Sequence, residues 1–229
     1  MVAQAWRSAA FLHWRIDPEM IAGRLPVGLE PDVVDGSAWL GLTPFHVARY
    51  GVLDLVAPPA VSSFNETNLR TYVRGPDGRD GLWFFSLDVD SLVNASAGRL
   101  GGLPYYLADM SVWTDDHVRY RCRRRLAGPA HHDIDVAPEG PVTRDREVAE
   151  LLAGRWRAYH AVGHLLVEVP VEHEPWPLRH AALVACDETM LVRGGFDAPS
   201  EPPLVHFADG VDARLGPPRI VRANQGPTG

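Results

Sequence analysis

Lysine is missing from this 229-residue chain, so all 22 of its Lys+Arg residues are arginine. That absence excludes a block of chemistry: no internal side chain offers a primary amine for an imine, a pyridoxal-phosphate anchor or a P-loop. Codon bias in a GC-rich genome accounts for a chain this rich in Ala, Arg, Gly, Pro and Asp, and the chemical consequence is the same. Cysteine is almost as scarce. Two cysteines, Cys122 and Cys186, suit inert thiols in a reducing compartment rather than a disulfide framework. Positive charge is in deficit, with a formal net charge of -7, and the basic run of Arg119, Arg121, Arg123, Arg124 and Arg125 falls on an alternating strand pattern. A nucleic-acid partner is therefore not expected. No stretch approaches the roughly 18 apolar residues of a membrane span. Met1 to Asp17 carries Arg7, His13 and Arg15 within its apolar stretch and does not read as a secretory signal. The expectation is a cytoplasmic chain with no membrane partner. HExxH, GxGxxG and GxSxG motifs are also absent, which removes local support for zinc-protease, nucleotide and serine-hydrolase readings.

What is present is alternation. Ala38 to Val47, Ser63 to Arg74, Leu82 to Asp90 and His117 to Arg125 each read as a strand, and Gly75-Pro76-Asp77-Gly78 as the turn of a hairpin. Trp83, Phe85, Leu87 and Val89 alternate onto one face, which is expected to be core. Asp17-Pro18-Glu19 before Met20, Ile21 and Leu25 marks a helix start. Further helices are expected around Arg144 to Gly154 and Leu178 to Val192, one strand over Ala158 to Val171, a surface loop over Ala127 to Pro141, and a surface wrap for the last thirty residues. With no repeat and no interdomain linker, residues 1–229 read as one mainly β (α+β) domain with a few peripheral helices.

On one strand face Phe64, Glu66, Asn68, Arg70 and Tyr72 gather an acid, an amide, a guanidinium and a phenol between aromatic rings. Two readings are open: a solvated outer face with a weak Glu66/Arg70 ion pair, or the wall of a pocket. The bend Gly98 to Pro104 delivers two adjacent phenols, Tyr105 and Tyr106, which can pack and cap locally or donate to a developing oxyanion. Histidines are numerous, but His160 and His164 lie about 13 Å apart if they share a strand face, too far for one ion. No metal and no cofactor is expected.

These residues also carry a resemblance. Trp6 to Leu29 with His13-Trp14, Asp35-Gly36 with Trp39, Glu66-x-Asn68-x-Arg70-Thr71-Tyr72-Val73, Phe84 to Asp88, Ala97-x-Arg99 through Pro104-Tyr105-Tyr106, and His173-x-Pro175-Trp176-Pro177-Leu178 together resemble the bacterial YqjF-like family. That family looks like a branch of the acetoacetate decarboxylase superfamily. The resemblance implies a large, curved, closed antiparallel β structure around a small-molecule cavity. In the decarboxylases a similar bend ends in Pro-Lys-Lys and supplies the Schiff-base lysine; that enzyme is the standard example of an activated lysine. Here Pro104-Tyr105-Tyr106 stands in its place, so imine-dependent decarboxylation is unavailable. By the same resemblance Glu66 matches a cavity glutamate, and Arg7 matches an arginine near the substrate carboxylate.

The expectation is a small-molecule-binding protein, as an enzyme a lyase, hydratase or isomerase working without a Schiff base on a carbonyl- or carboxylate-bearing metabolite. Glu66, Tyr105 and Tyr106 would be catalytic, and Arg70, Arg7, Asn68 and Tyr72 would bind substrate. A non-catalytic metabolite binder or sensor is the alternative. Glu66 locked onto Arg70 would favour the binder, and Glu66 facing space beside a phenol would favour the enzyme. Homo-oligomer formation is left open.

Overall fold

The computed structural model describes residues 1–52, 55–56, 58–126 and 128–221. Among these, fourteen strands form one sheet: β1 (Val2–Ile16), β2 (Glu30–Pro31), β3 (Ala38–Val52), β4 (Leu55–Val56), β5 (Phe64–Arg74), β6 (Asp80–Val89), β7 (Tyr105–Thr114), β8 (Val118–Arg124), β9 (His131–Pro141), β10 (Arg157–Val162), β11 (Leu165–His173), β12 (Arg179–Glu188), β13 (Leu204–Leu215) and β14 (Arg219–Val221). Five short helices accompany them: α1 (Pro18–Ala22), α2 (Pro59–Ser62), α3 (Leu92–Leu100), α4 (Arg146–Ala153) and α5 (Met190–Arg193). No helix of the described residues is long and apolar enough to cross a membrane.

The sheet closes on itself. Nine strands, β6-β7-β8-β9-β12-β13-β1-β3-β5, run round and return to β6 through the β5/β6 pairing. A second, smaller ring shares part of that wall. Near its start β6 pairs in parallel with β10, and near its end β13 pairs with β11, so β6-β10-β11-β13-β1-β3-β5 also closes. Strand β6 thus gives its outer edge first to β10 and then to β7, and β13 does the same with β12 and β11. Because side chains alternate across a strand, the shared wall serves both interiors. Leu12, Leu40, Leu42 and Leu69 face the larger ring and meet Tyr120, Ile134, Val136 and Phe207 in a filled apolar core. Phe11, Phe45, Glu66, Asn68 and Arg70 face the smaller ring.

The hairpin Arg74 to Asp80 forms as read, with Gly78 at φ 76, where a side chain would be strained. Asp17 caps α1 through Glu19 N–H with Pro18 in the first turn, and α4 occupies most of the expected Arg144 to Gly154 helix. Four expectations are corrected. Leu178 to Val192 is mostly strand β12, because Ala181 and Leu183 pack inward at period two and pairing with β9 outweighs the helical preference of Ala and Leu. Ala127 to Pro141 contains β9, whose His132, Ile134 and Val136 alternate into the core, and its Pro and Gly fall at the strand end. Ala158 to Val171 is a hairpin of two strands that turns at Gly163. Much of the last thirty residues is buried strand β13 rather than a surface wrap; residues 222–229 lie outside the described residues.

A further correction concerns β6. Leu69 pairs with Ser86 but Arg70 pairs with Phe84, so Phe85 is an extra residue, a β-bulge at the point where β6 changes partners. The bulge moves Trp83 and Phe85 off the face shared by Leu87 and Val89. Phe85 instead packs edge-on against Phe196 at 4.9 Å beside the larger core, while Phe84 and Leu87 face the smaller ring. We therefore expect Phe85→Ala to cost about 3 kcal/mol in chemical denaturation, and Phe84→Ala, which borders existing space, roughly 1 to 2 kcal/mol. Equal losses, or the reverse order, would contradict the bulge assignment.

Candidate functional site

The smaller ring is not filled. It encloses a cavity of about 140 Å³ walled by Trp6, Phe11, Phe45, Phe84, Leu87, Val169, Val171 and Trp176, with Glu66, Asn68, Arg70, Tyr105, Arg155, His160 and His173 as polar members. A wider groove of about 860 Å³ lies between residues 13–18 and 199–204 on the outside. It is open and mostly polar, whereas Glu66, the perturbed acid, and unpartnered atoms of Asn68, Arg70, Arg155 and His160 border the cavity of the smaller ring.

Strand register builds the site. On β5 alternation aims Glu66, Asn68 and Arg70 inward, while Thr67 on the opposite face meets His132 at 2.9 Å. Asn68 pairs with Leu87, and Leu87 pairs in parallel with Tyr105. Tyr105 is thereby placed beside the Glu66 end of the cavity. Its ring lies against Gly98 of α3, where a Cβ would stand 2.1 Å from the ring, so glycine is required for this seat. That is one reason for the glycines before Pro104.

Burial dominates the electrostatics. The Glu66 carboxyl group is pushed up to about 8, because loss of water outweighs the opposing hydrogen bonding from Asn68 and Tyr105, and the Asp88 charge adds to the rise. Tyr105 is raised well above its ordinary value, first by burial and then by the neighbouring Glu66, so it remains a neutral donor. Burial also lowers His173, and the Arg70 charge lowers it further. Among the described residues no ion pair joins Glu66 to Arg70. The Arg70 side chain is 94% buried, its relative exposure being 6%, yet its Nη2 has no partner, and Asn68 Oδ1 has none either. Tyr72, behind Arg70, donates toward His13 Nε2 at 2.6 Å or accepts from it, according to the ring's tautomer.

Glu66, Asn68, Arg70 and Tyr105 thus border one cavity. Arg7 does not: alternation puts Trp6 inside and turns Arg7 outward, where it binds the Trp6 and Val211 carbonyls and Asp212. Tyr106 faces the larger ring, since Asp88 is its register partner, and its ring lies 3.7 Å from the Arg124 guanidinium, itself paired with Asp88. Tyr72 supports Arg70 from behind rather than lining the wall. Arg155 and Trp6 were not expected at the site. They come from the segment between α4 and β10 and from the N-terminal strand, and only the barrel closure brings them in. No group of three or more metal-ligating side chains occurs among the described residues.

The model of the DUF2071 family, uncharacterized conserved proteins, matches residues 3–212. The chain belongs to that family. The uncharacterized protein YqjF of Bacillus subtilis (strain 168) is 31% identical over 223 residues, which cover 96% of this chain and 92% of that protein. Among solved structures, an acetoacetate decarboxylase-like enzyme from Sphingomonas wittichii RW1 overlays with a TM-score of 0.68 at 16% identity, covering 96% of this chain and 92% of that one. Acetoacetate decarboxylase from Legionella pneumophila gives a TM-score of 0.70 at 12% identity, with coverage of 97% and 88%. The enduracididine biosynthesis enzyme MppR, complexed with pyruvate, gives 0.67 at 16% identity, covering 96% and 90%. The DUF2071 chain thus has the acetoacetate decarboxylase-like fold.

The raised Glu66 value fixes a sign. Between its ordinary value near 4.5 and about 8 the folded protein holds a proton that the unfolded chain releases, so this group makes stability fall as pH rises through that window. His132 and His206, both lowered to about 4, act oppositely on the acid side. Comparing Glu66→Gln with wild type isolates the glutamate: the variant should gain several kcal/mol relative to wild type between about pH 5 and pH 9, at roughly 1.4 kcal/mol for each tenfold difference in proton affinity between the folded and unfolded chains. Parallel stability curves for the two proteins would contradict the burial argument.

Proposed function

We propose that the cavity of this DUF2071 protein is an acid–base active site for a small carbonyl compound. Glu66 exchanges a proton with the carbon next to the carbonyl group, and the Tyr105 hydroxyl donates a hydrogen bond to the carbonyl oxygen as negative charge develops there. Asn68 offers a further polar contact. One observation carries the reading: Glu66 is free of Arg70, faces the cavity beside a phenol, and titrates near the pH at which a proton is easily both taken and returned. The cavity volume, close to that of a site known to hold benzene, suits a ligand of about six to eight heavy atoms. The complexes of MppR with pyruvate, and with the condensation product of pyruvate and imidazole 4-carboxaldehyde, support a carbonyl ligand for a protein of this fold.

The test is proton exchange at carbon. Small ketones and oxo acids incubated with the protein in deuterated water should lose their α-proton NMR signals faster than in buffer, at a rate that rises with pH and levels off above about 8, as for a base that must be ionised. Glu66→Gln should abolish the acceleration, and Tyr105→Phe should reduce it about a hundredfold. Binding with no exchange across the panel would favour the non-catalytic binder instead.

A further inference from the structure

At the far end of the same cavity are two guanidinium groups. Arg70 stands four residues beyond Glu66 on β5, about 13 Å along the strand. Its guanidinium carbon is 5.6 Å from the ring of Phe11, which lines the cavity, and 5.7 Å from the Tyr72 ring behind it. Arg155 arrives there from the segment after α4, with its guanidinium carbon 5.1 Å from the same Tyr72 ring. Both side chains are more than nine-tenths buried. Arg155 spends only Nη1 on carboxylates, touching Asp32 at 2.5 Å and Asp80 at 3.1 Å, while its Nε and Nη2 have no partner, nor has Arg70 Nη2. Buried donors on cationic groups are costly when unmet. These three therefore call for an acceptor from outside the chain.

We infer that the ligand is a short oxo acid whose carboxylate, held between Arg70 and Arg155, is separated from its carbonyl carbon by two or more methylene groups. This rests on the acid–base reading for the Glu66 end and adds the ligand's charge, and its length, from the other end. A 2-oxo acid places both functions on adjacent carbons and is expected to engage the Glu66 end and the guanidinium pair less well than a longer acid. A 4-oxo or 5-oxo acid of five or six carbons sets the two functions farther apart and fits the volume. Arg155 becomes a specificity-determining residue, and its Asp32/Asp80 contacts fix the direction of the free Nε and Nη2.

Calorimetric titration tests the inference with four compounds: pyruvate, 4-oxopentanoate, its methyl ester and 5-oxohexanoate. One or both of the longer acids should bind roughly ten- to a hundredfold more tightly than pyruvate and than the ester, the range set by a hydrogen bond to a charged group. Arg70→Met, which orphans no carboxylate, should bring acid and ester to within about threefold by weakening the acid alone. Arg155→Gln leaves Asp32 paired with Arg74 at 2.9 Å and Asp80 with Arg157 at 3.2 Å, so neither carboxylate loses its last cation, and should do the same. Pyruvate binding as well as the longer acids, the ester matching the acid, or both variants keeping the preference would overturn the inference. The two proposals fail separately. Exchange on neutral ketones without any preference for the long acids sinks this one and keeps the Glu66 chemistry; tight binding of 4-oxopentanoate without exchange does the reverse.

Discussion

The pairing of β5 with β6, interrupted by one extra residue at Phe85, governs the cavity. Below the bulge β6 supports β10, and above it β7, so the sheet branches and two interiors share one wall. The same register sets which side chains meet. Asn68 pairs with Leu87 and Leu87 with Tyr105, which places a phenol beside Glu66, while the next residue in each strand, Asp88 and Tyr106, is turned into the other interior. A slip of one residue would exchange the two sets. The two adjacent tyrosines therefore have different roles for reasons of strand alternation rather than chemistry.

Charge is divided along the same wall. The face toward the larger ring holds a buried Asp88/Arg124 pair, with each carboxylate oxygen met by a guanidinium nitrogen at 2.7 and 2.8 Å. That arrangement closes on itself and leaves nothing for a ligand. The face toward the cavity is different: an acid kept neutral by burial at one end, guanidinium donors without acceptors at the other, and stacked Trp6 and Trp176 in the wall. Structures minimise unmet buried polar groups wherever folding alone decides. The unmet atoms of Asn68, Arg70 and Arg155 on this wall fit a surface shaped for a ligand.

How much of this could be read in the sequence follows from the range of each interaction. Alternation is local, so the β5 face with Glu66, Asn68 and Arg70, the Gly75 to Gly78 hairpin and the Asp17 cap were all legible. The loss of imine chemistry was legible in the missing lysines. Phe85 could not be read, because a bulge leaves the apolar pattern intact and is decided by the partners on either side. Strands β9 and β12 were hidden by Pro, Gly and Ala, whose local preferences yielded to pairing with β8 and β13. Arg155 had no signal of its own. It looks like one more surface arginine until closure of the smaller ring brings the end of α4 to the cavity, and Arg7 was misread for the converse reason, its strand face being fixed by Trp6.

The account turns on a carboxyl group that keeps its proton near neutral pH because the barrel removes it from water. Carbon-13 NMR of protein labelled at the glutamate side-chain carboxyl measures this directly, with Glu66→Gln identifying the Glu66 resonance. The predicted result is a single titration step for that resonance with its midpoint at about 8, well separated from the exposed glutamates. A midpoint near the ordinary 4.5 would mean that Glu66 is ionised and solvated in the cavity, and the acid–base site would fall with it.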